Sequence, residues 1–407
     1  MSGYSNARPG TPIVNTHVHL PPNFSAFETA EEAARLAGAQ GVAVLGTSNY
    51  SDFGVYEQFA AAAAGAGVVP LFGVEIITLI DAGLDGGRLF NDPTNLNRMY
   101  LCGKALSRID PMTPSAARMM AAMRGASEDR IRQMTSLVAS LFYREGLDGA
   151  VTAERIAALV AARAGVPVPW VSLQERHVAQ SFQELLFAQI APADRASVLG
   201  RVFGCATEVV PTDPTAVQEA IRSNLMKAGK PAFVSEAAVS FDDAYRLILE
   251  LGGIPCYPIL ADGASPICAF EDSAEALAER LLSRDIYCAE LIPVRNRPEV
   301  VDSYVSTLRG AGIVVTAGTE HNTKRMIPLA PAALGGAPLS DMALEEFWEA
   351  TCVVAAHQES ARSGKPGYVD RAGRPAGGFA DGEARIRAFR DIGADLISTR
   401  SAVRIQG

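Results

Sequence analysis

The sequence predicts an α/β fold in which short buried strands alternate with helices around a (β/α) barrel. Three observations carry that expectation. Apolar runs of strand length recur with helical segments between them. Polar residues able to do chemistry stand where several of those runs end, which is where barrels place their active sites. Neither G-x-G-x-x-G nor G-x-x-x-x-G-K-S/T follows the first strand, so an open dinucleotide- or nucleotide-binding sheet lacks its main support.

In chain order, a first apolar run ends at His17-Val18-His19. A helix over 29–38 is closed by Gly41, and 42–45 reads as a buried strand. Residues 55–64 read as a helix and 68–77 as a strand. From about 81 to 195 the pattern is helical with almost no strand. Ser127 is placed to cap a helix over 129–143, Thr152 one running to Ala162, and a further helix covers 171–187. Alternation then resumes. Asp213-Pro214 opens a helix with proline in its first turn, and 232–234 is a strand candidate. Ser240 and Asp243 make a capping-box-like start to a helix that Gly252-Gly253 stops. A strand over 254–257, a helix capped by Asp272 and Glu275, a strand over 286–292, a helix over 298–310 and a last strand over 313–317 complete the series. The tail carries a long helix from Ser340, a Gly- and Pro-rich segment and a short helix over 383–392. The expected division is 1–84 with 171–330 as the barrel, 85–170 as a helical insertion, and 331–407 as a C-terminal helical extension.

Composition narrows the partners. The 407 residues are 48% hydrophobic, ample for a sizeable core. A formal net charge of −9 argues against a stable nucleic-acid partner, whose binding face would be basic, but leaves a nucleotide open as a substrate. The polar start lacks an apolar signal core, and no run of about 20 apolar residues exists, so a cytoplasmic chain without a membrane partner is expected. The six cysteines form no C-x-x-C pair and read as buried thiols.

Candidate ligands then stand out. His17 and His19 are two apart at a strand end, so alternation puts both imidazoles on one face, within reach of one ion. Glu75 lies inside Leu71-Phe72-Gly73-Val74-Glu75-Ile76-Ile77, and a carboxylate in an apolar strand is costly unless paired or metal-bound. His177 falls on a helix, and Glu320-His321 follows the last strand. Four of the five histidines occupy these places; the fifth, His357, sits mid-helix and reads as structural.

Taken in order and spacing, these motifs resemble the polymerase and histidinol phosphatase (PHP) family of metal-dependent phosphoesterases, above all the branch that hydrolyses nucleoside phosphates and short RNA. Asn15-Thr16-His17-Val18-His19 resembles the family's opening D-x-H-x-H. Thr47-Ser48-Asn49-Tyr50-Ser51, with Gly54, stands where the family has T-D-H-N-T and its glycine. Gly73-Val74-Glu75-Ile76 matches G-[IV]-E-I, and Glu175-Arg176-His177-Val178-Ala179 stands at R-P-H-I-A with its first two residues changed. Lys227-Ala228-Gly229-Lys230-Pro231 and Gly252-Gly253-Ile254-Pro255 match the stretch before A-H-P, and Gly318-Thr319-Glu320-His321-Asn322 stands at G-S-D-x-H. The resemblance covers about 12–80 and 170–323.

The resemblance implies a PHP-like distorted (β/α)7 TIM-type barrel with metals at its mouth. His17, His19, Glu75 and Glu320 would hold the first metal. Glu75 would bridge to a second, which His177 completes, with Asp262 in place of the absent A-H-P histidine. Two third-site histidines are here Asn49 and Asn322, so two divalent ions per chain are expected (zinc, manganese or iron). Glu75, Glu320 and His321 are the catalytic candidates. Asn49, Asn322, Lys324, Arg325 and Arg295 are candidates to contact a small anionic substrate. The implied function is a phosphoesterase that activates a water between two metals on a small phosphate ester or nucleotide. The alternatives are a metal-dependent hydrolase or lyase on another substrate, or a non-catalytic metal-binding protein. The insertion is expected over the barrel mouth, where it would shape substrate choice or a dimer interface, so a homo-oligomer stays open.

Overall fold

Strands β1 (Ile13–Val18), β2 (Val42–Thr47) and β3 (Val69–Leu71) are buried along most of their length, β2 and β3 largely apolar and β1 carrying Asn15, Thr16 and His17 among its aliphatic residues. That is the pattern of strands covered on both faces, and the three pair in parallel in the order β1-β2-β3. The architecture is that of a computed structural model, which describes residues 10–81, 87–235 and 238–402. Helix α1 (Ala30–Ala39) makes the first crossover. Thr29 caps it by accepting the Glu32 N–H, and its small residues Ala30, Ala33, Ala34 and Ala37 face the core. Helix α2 (Tyr56–Ala66) makes the second and ends on Gly67 in the left-handed conformation.

The second sheet holds β4 (Val74–Leu79), β5 (Arg98–Lys104), β6 (Val239–Ser240), β7 (Ile254–Ile259), β8 (Cys288–Leu291) and β9 (Val314–Ala317), in the order β6-β4-β5-β7-β8-β9. Strand β5 runs antiparallel to both β4 and β7, and the other pairings are parallel. Two single bridges join the sheets, Val18 to Glu320 and Tyr50 to Glu75. Where β3 gives over to β4, any side chain at Gly73 would collide with the carbonyl oxygens of Thr47 and Gly103, so glycine is required.

Among the described residues, five α-helices separate β5 from β6: α3 (Pro114–Arg144), α4 (Ala153–Ala164), α5 (Glu175–Gln189), α6 (Arg195–Phe203) and α7 (Pro214–Ile221). They enclose an apolar cluster of their own, running from Ile131 through Phe142, Phe182 and Leu186 to Ala232. Each fully buried Phe or Leu there contributes about 1.5–3 kcal/mol, enough to hold the block as a packed unit. The remaining helices are α8 (Phe241–Glu250), α9 (Ala274–Leu282), α10 (Pro298–Gly310), α11 (Asp341–Arg362) and α12 (Gly382–Ala402). Phe347, Val353 and Val354 of α11 and Ile386 and Phe389 of α12 belong to the same core as the strands.

The α/β class expected from sequence is therefore present, while the barrel is met only in part. The strands form two sheets joined by single bridges, with one antiparallel member, rather than one closed parallel ring. Strand β5 lies inside the stretch read as helical, and 68–77 is two strands, not one. The helix placed at 129–143 is the second half of α3, capped by Thr113 rather than Ser127. The helix expected from 171 begins at Glu175. Residues 232–234 are turn and coil, because Ala232 packs into the helical cluster instead of a sheet. All six cysteines are free, but Cys205 is exposed, not buried. No helix among the described residues is long and apolar enough to cross a membrane.

Candidate metal centre

His17 is on β1, His19 follows that strand, and Glu75 enters from β4. Their side chains are almost wholly removed from solvent. Nε2 of His17 and Nε2 of His19 are 3.4 Å apart, and Oε2 of Glu75 is 3.5 and 3.3 Å from them. Glu75 Oε2 is buried with no hydrogen-bond partner, and so is Nδ1 of His19. A buried carboxylate oxygen without a donor is expensive. An ion with nitrogen and oxygen ligands at about 2.1 Å in tetrahedral geometry would set its ligands about 3.4 Å apart. The spacing, the donor set and the orphaned oxygen all fit a divalent transition metal.

Neighbours fix each ligand. His17 Nδ1 is 2.5 Å from Oε2 of Glu290 on β8, so the ring gives its N–H to the carboxylate and turns Nε2 toward the cluster. Glu290 also takes Lys104 Nζ at 2.6 Å and the Thr16 hydroxyl at 2.8 Å. Lys104 spends its other two protons on the Thr16 carbonyl and the Ser48 hydroxyl. Burial would raise the Glu290 pKa, but Lys104 and His17 hold it at about 2. Burial would lower that of His17; the Glu290 charge overrides it and raises it well above the ordinary value. Glu75 is likewise favoured in its charged form by burial's being overcome through His17 and His19, which hold its pKa well below the carboxylate range. The Tyr50 hydroxyl donates to Oε1 of Glu75 at 2.9 Å, and its ring stacks on His19. Cys102 is also close enough to His17 and Glu290 to make a ligand trio, but the Lys104 ammonium already supplies the positive charge beside Glu290.

The other sequence candidates have different surroundings. Glu320 adjoins the centre through its backbone, donating its N–H to the His17 carbonyl and accepting the His19 N–H. Its carboxylate instead takes Arg295 and Asn322, both at 2.5 Å. Glu320 and His321 both have left-handed backbones, φ 60° and 52°, a strain of roughly 1–2 kcal/mol per residue stored beside the ligands. His321 stacks on Phe27 and engages Thr319 Oγ1 and the Ile327 carbonyl, using both ring nitrogens. His177 caps α5: its Nδ1 accepts the Gln174 N–H, and its ring edge meets Phe24. Burial pushes its pKa down to about 3. Asp262 is bound by Asn296 and Arg297. Asn49 closes both ends of its amide on the backbone of Leu20. Lys324 lies 3.4 Å from Glu28 and over the Phe24 ring, and Arg325 is exposed.

Sequence reasoning thus named the three converging ligands and missed Tyr50, Lys104 and Glu290 as their supports. Glu290 carried the signal that exposed Glu75, a carboxylate inside an apolar strand, here Ala289-Glu290-Leu291-Ile292.

No known family profile matches the chain, and no curated protein matches its sequence. Solved structures share its fold. One, from Bifidobacterium adolescentis and provisionally named a metal-dependent phosphoesterase, is 15% identical, with TM-score 0.51 over 83% of this chain and 95% of that one. Another, an amidohydrolase from Chromobacterium violaceum described with sulfate bound and no metal, is 16% identical, with TM-score 0.50 over 82% of this chain and 96% of that one. The chain is therefore built on a fold that metal-dependent hydrolases also use.

Proposed function

We propose that this chain is a metal-dependent hydrolase, and in the first instance a phosphoesterase acting on a small phosphate ester or nucleotide. The observation that carries the reading is the convergence of His17 Nε2, His19 Nε2 and Glu75 Oε2 at tetrahedral-edge spacing around a buried, unpartnered oxygen. These three would hold the ion, with zinc, manganese and iron all suited to the set. When bound, it supplies Lewis acidity and lowers the pKa of a water.

The chain's own groups do the rest. Glu290 engages His17 at Nδ1, so Nε2 is the nitrogen that would face the ion. Tyr50 holds Oε1 of Glu75 and leaves Oε2 facing inward. Arg295, exposed and tethered by Glu320 beside the β1 seam, is the cation we assign to a phosphate oxygen. The sulfate described in the Chromobacterium violaceum protein supports an oxyanion substrate. Glu320 itself would join the ligands only by leaving Arg295 and Asn322, and His177 and Asp262 would have to leave their present partners. A second ion, and the PHP assignment, therefore rest on the sequence resemblance. We read the helical block between β5 and β6, which takes up the larger part of the expected 85–170 insertion, as the part that sets substrate choice.

A hydrolase of a non-phosphate substrate is the second reading. It is favoured because, among the described residues, the only other candidate trio, His17, Cys102 and Glu290, shares His17 with the first, whereas paired ions are the usual phosphoester device. Elemental analysis of wild type and His17→Ala, with turnover of p-nitrophenyl phosphate and its bis ester, separates them. One or more equivalents of metal lost in His17→Ala, with phosphoester turnover, supports the first reading. The same metal without phosphoester turnover favours the second. No metal after reconstitution rejects both.

A further inference from the structure

Away from the metal centre, a cavity of about 250 Å³, open to solvent, lies at the N-terminal ends of β8 and β9. Tyr287 precedes β8, and Ala311 stands just before β9. Pro375, Phe379, Asp381 and Arg385 close the cavity from the segment that leads into α12 and from its first turn.

Arg385 is only 3% exposed. Among the described residues it has no carboxylate within ion-pair distance. Its side chain makes one hydrogen bond, from Nη2 to the Tyr368 hydroxyl at 3.1 Å, and its Nε is buried with no partner. The rings of Tyr287 and Tyr368 flank the guanidinium at 5.1 and 4.4 Å. Those rings offset part of the desolvation but supply no acceptor in the plane of the fork. A buried arginine without a counter-charge is among the costliest arrangements a fold can keep. The other two buried arginines among the described residues are satisfied differently: Arg130 pairs with Glu175, and Arg195 donates to the carbonyls of Phe187, Ile190 and Pro211. Asp381 does not neutralise Arg385, because its Oδ1 caps the Ala384 N–H. The start of α12, 21 residues long, lies on the same wall and adds positive potential from its axial dipole.

We propose that this cavity binds a small organic anion, with a carboxylate or phosphate on the Arg385 fork and an apolar body against Phe379 and Pro375. A planar acid group can take two of the guanidinium protons at once, which is the strongest pairing available to arginine. The site shares no residue with the metal centre and does not depend on the reaction assigned to it.

The test uses the full chain with benzoate and phenylphosphonate, and benzamide as the uncharged control. Binding is followed by thermal shift and by the ¹⁵Nε–H resonance of Arg385, identified by its loss in Arg385→Met. The second variant is Ala311→Trp, which fills the cavity from its exposed rim. The expected result is a saturable rise in Tm and a moved Nε–H resonance with at least one acid and not with benzamide. Affinity should fall about tenfold or more in either variant. Equal binding of benzamide, no saturable binding of either acid, or undiminished binding in Ala311→Trp would overturn the proposal. If Arg385→Met does not fold, Ala311→Trp decides alone.

Discussion

Nδ1 of His17 lies 2.5 Å from Oε2 of Glu290, so a carboxylate outside the ligand trio decides which way the ring faces. Replacing Glu290 with Gln keeps the shape and removes that instruction, since the amide can present its NH2 to the ring and favour the other tautomer. Metal affinity is expected to drop about 10–100-fold, read by competition with a chelator. An unchanged affinity would show that Glu290 is only filling space.

The Lys104–Glu290 pair is predicted to matter for stability as a unit. Both side chains are buried, at 2% and 0% exposure. Lys104→Met leaves the carboxylate uncompensated and should cost about 3–5 kcal/mol in urea unfolding. Lys104→Met combined with Glu290→Gln should recover much of that loss. Strictly additive costs in the double variant would contradict the coupling.

Gly318 follows β9 and faces β1, where a methyl group would overlap the Cβ of His17. Gly318→Ala is therefore predicted to displace the ligand before it disturbs the fold. Circular dichroism should stay near wild type while metal per chain falls. Full metal content in this variant would mean that β1 can move aside.

Acid should unfold the chain through buried histidines outside the ligand trio. Burial pushes His357 down to about 4. The neutral ring accepts the Tyr368 N–H at Nδ1 and meets the Gly252 carbonyl through Nε2. His321 is also held at about 4 by burial. Unfolded histidine titrates near 6.5, so the unfolded chain takes up protons first as pH falls. The stability involved is present above pH 6.5 and drains away between 6.5 and 4, by about 3 kcal/mol for each ring. Stability measured across that interval should fall less steeply in His357→Gln. An identical slope would mean that His357 does not titrate on unfolding.

Much of the centre could be read from sequence because a parallel strand advertises an anomaly: histidines and a carboxylate have no business among Val, Ile and Leu unless something holds them. The rest was hidden by competition among uses. His177 has the composition of a ligand, but an N-cap needs an acceptor for the Gln174 N–H, and the ring supplies it. Asn49 serves a loop, clasping Leu20. Lys104 was missed because β5, which pairs antiparallel with β4 and β7, falls in a stretch whose local sequence reads as helical. The junction between the two sheets was equally silent, since single bridges leave no pattern in the chain.

The seam between β1 and the loop after β9 has a consequence for the order of folding. Asn15 reaches Thr319 across 304 positions, and the His17 carbonyl takes the N–H groups of both Thr319 and Glu320. Contacts of such long range form only after the intervening chain has lost its freedom. The contacts that brace the β1 side of the seat are consequently expected to form late, after the intervening elements have folded. During synthesis Glu75 emerges soon after the two histidines, but Glu290 and the loop after β9 come much later. An ion captured early would meet the three ligands before Glu290 fixes the His17 ring. The final geometry of the seat thus depends on β8 and β9 closing against β1.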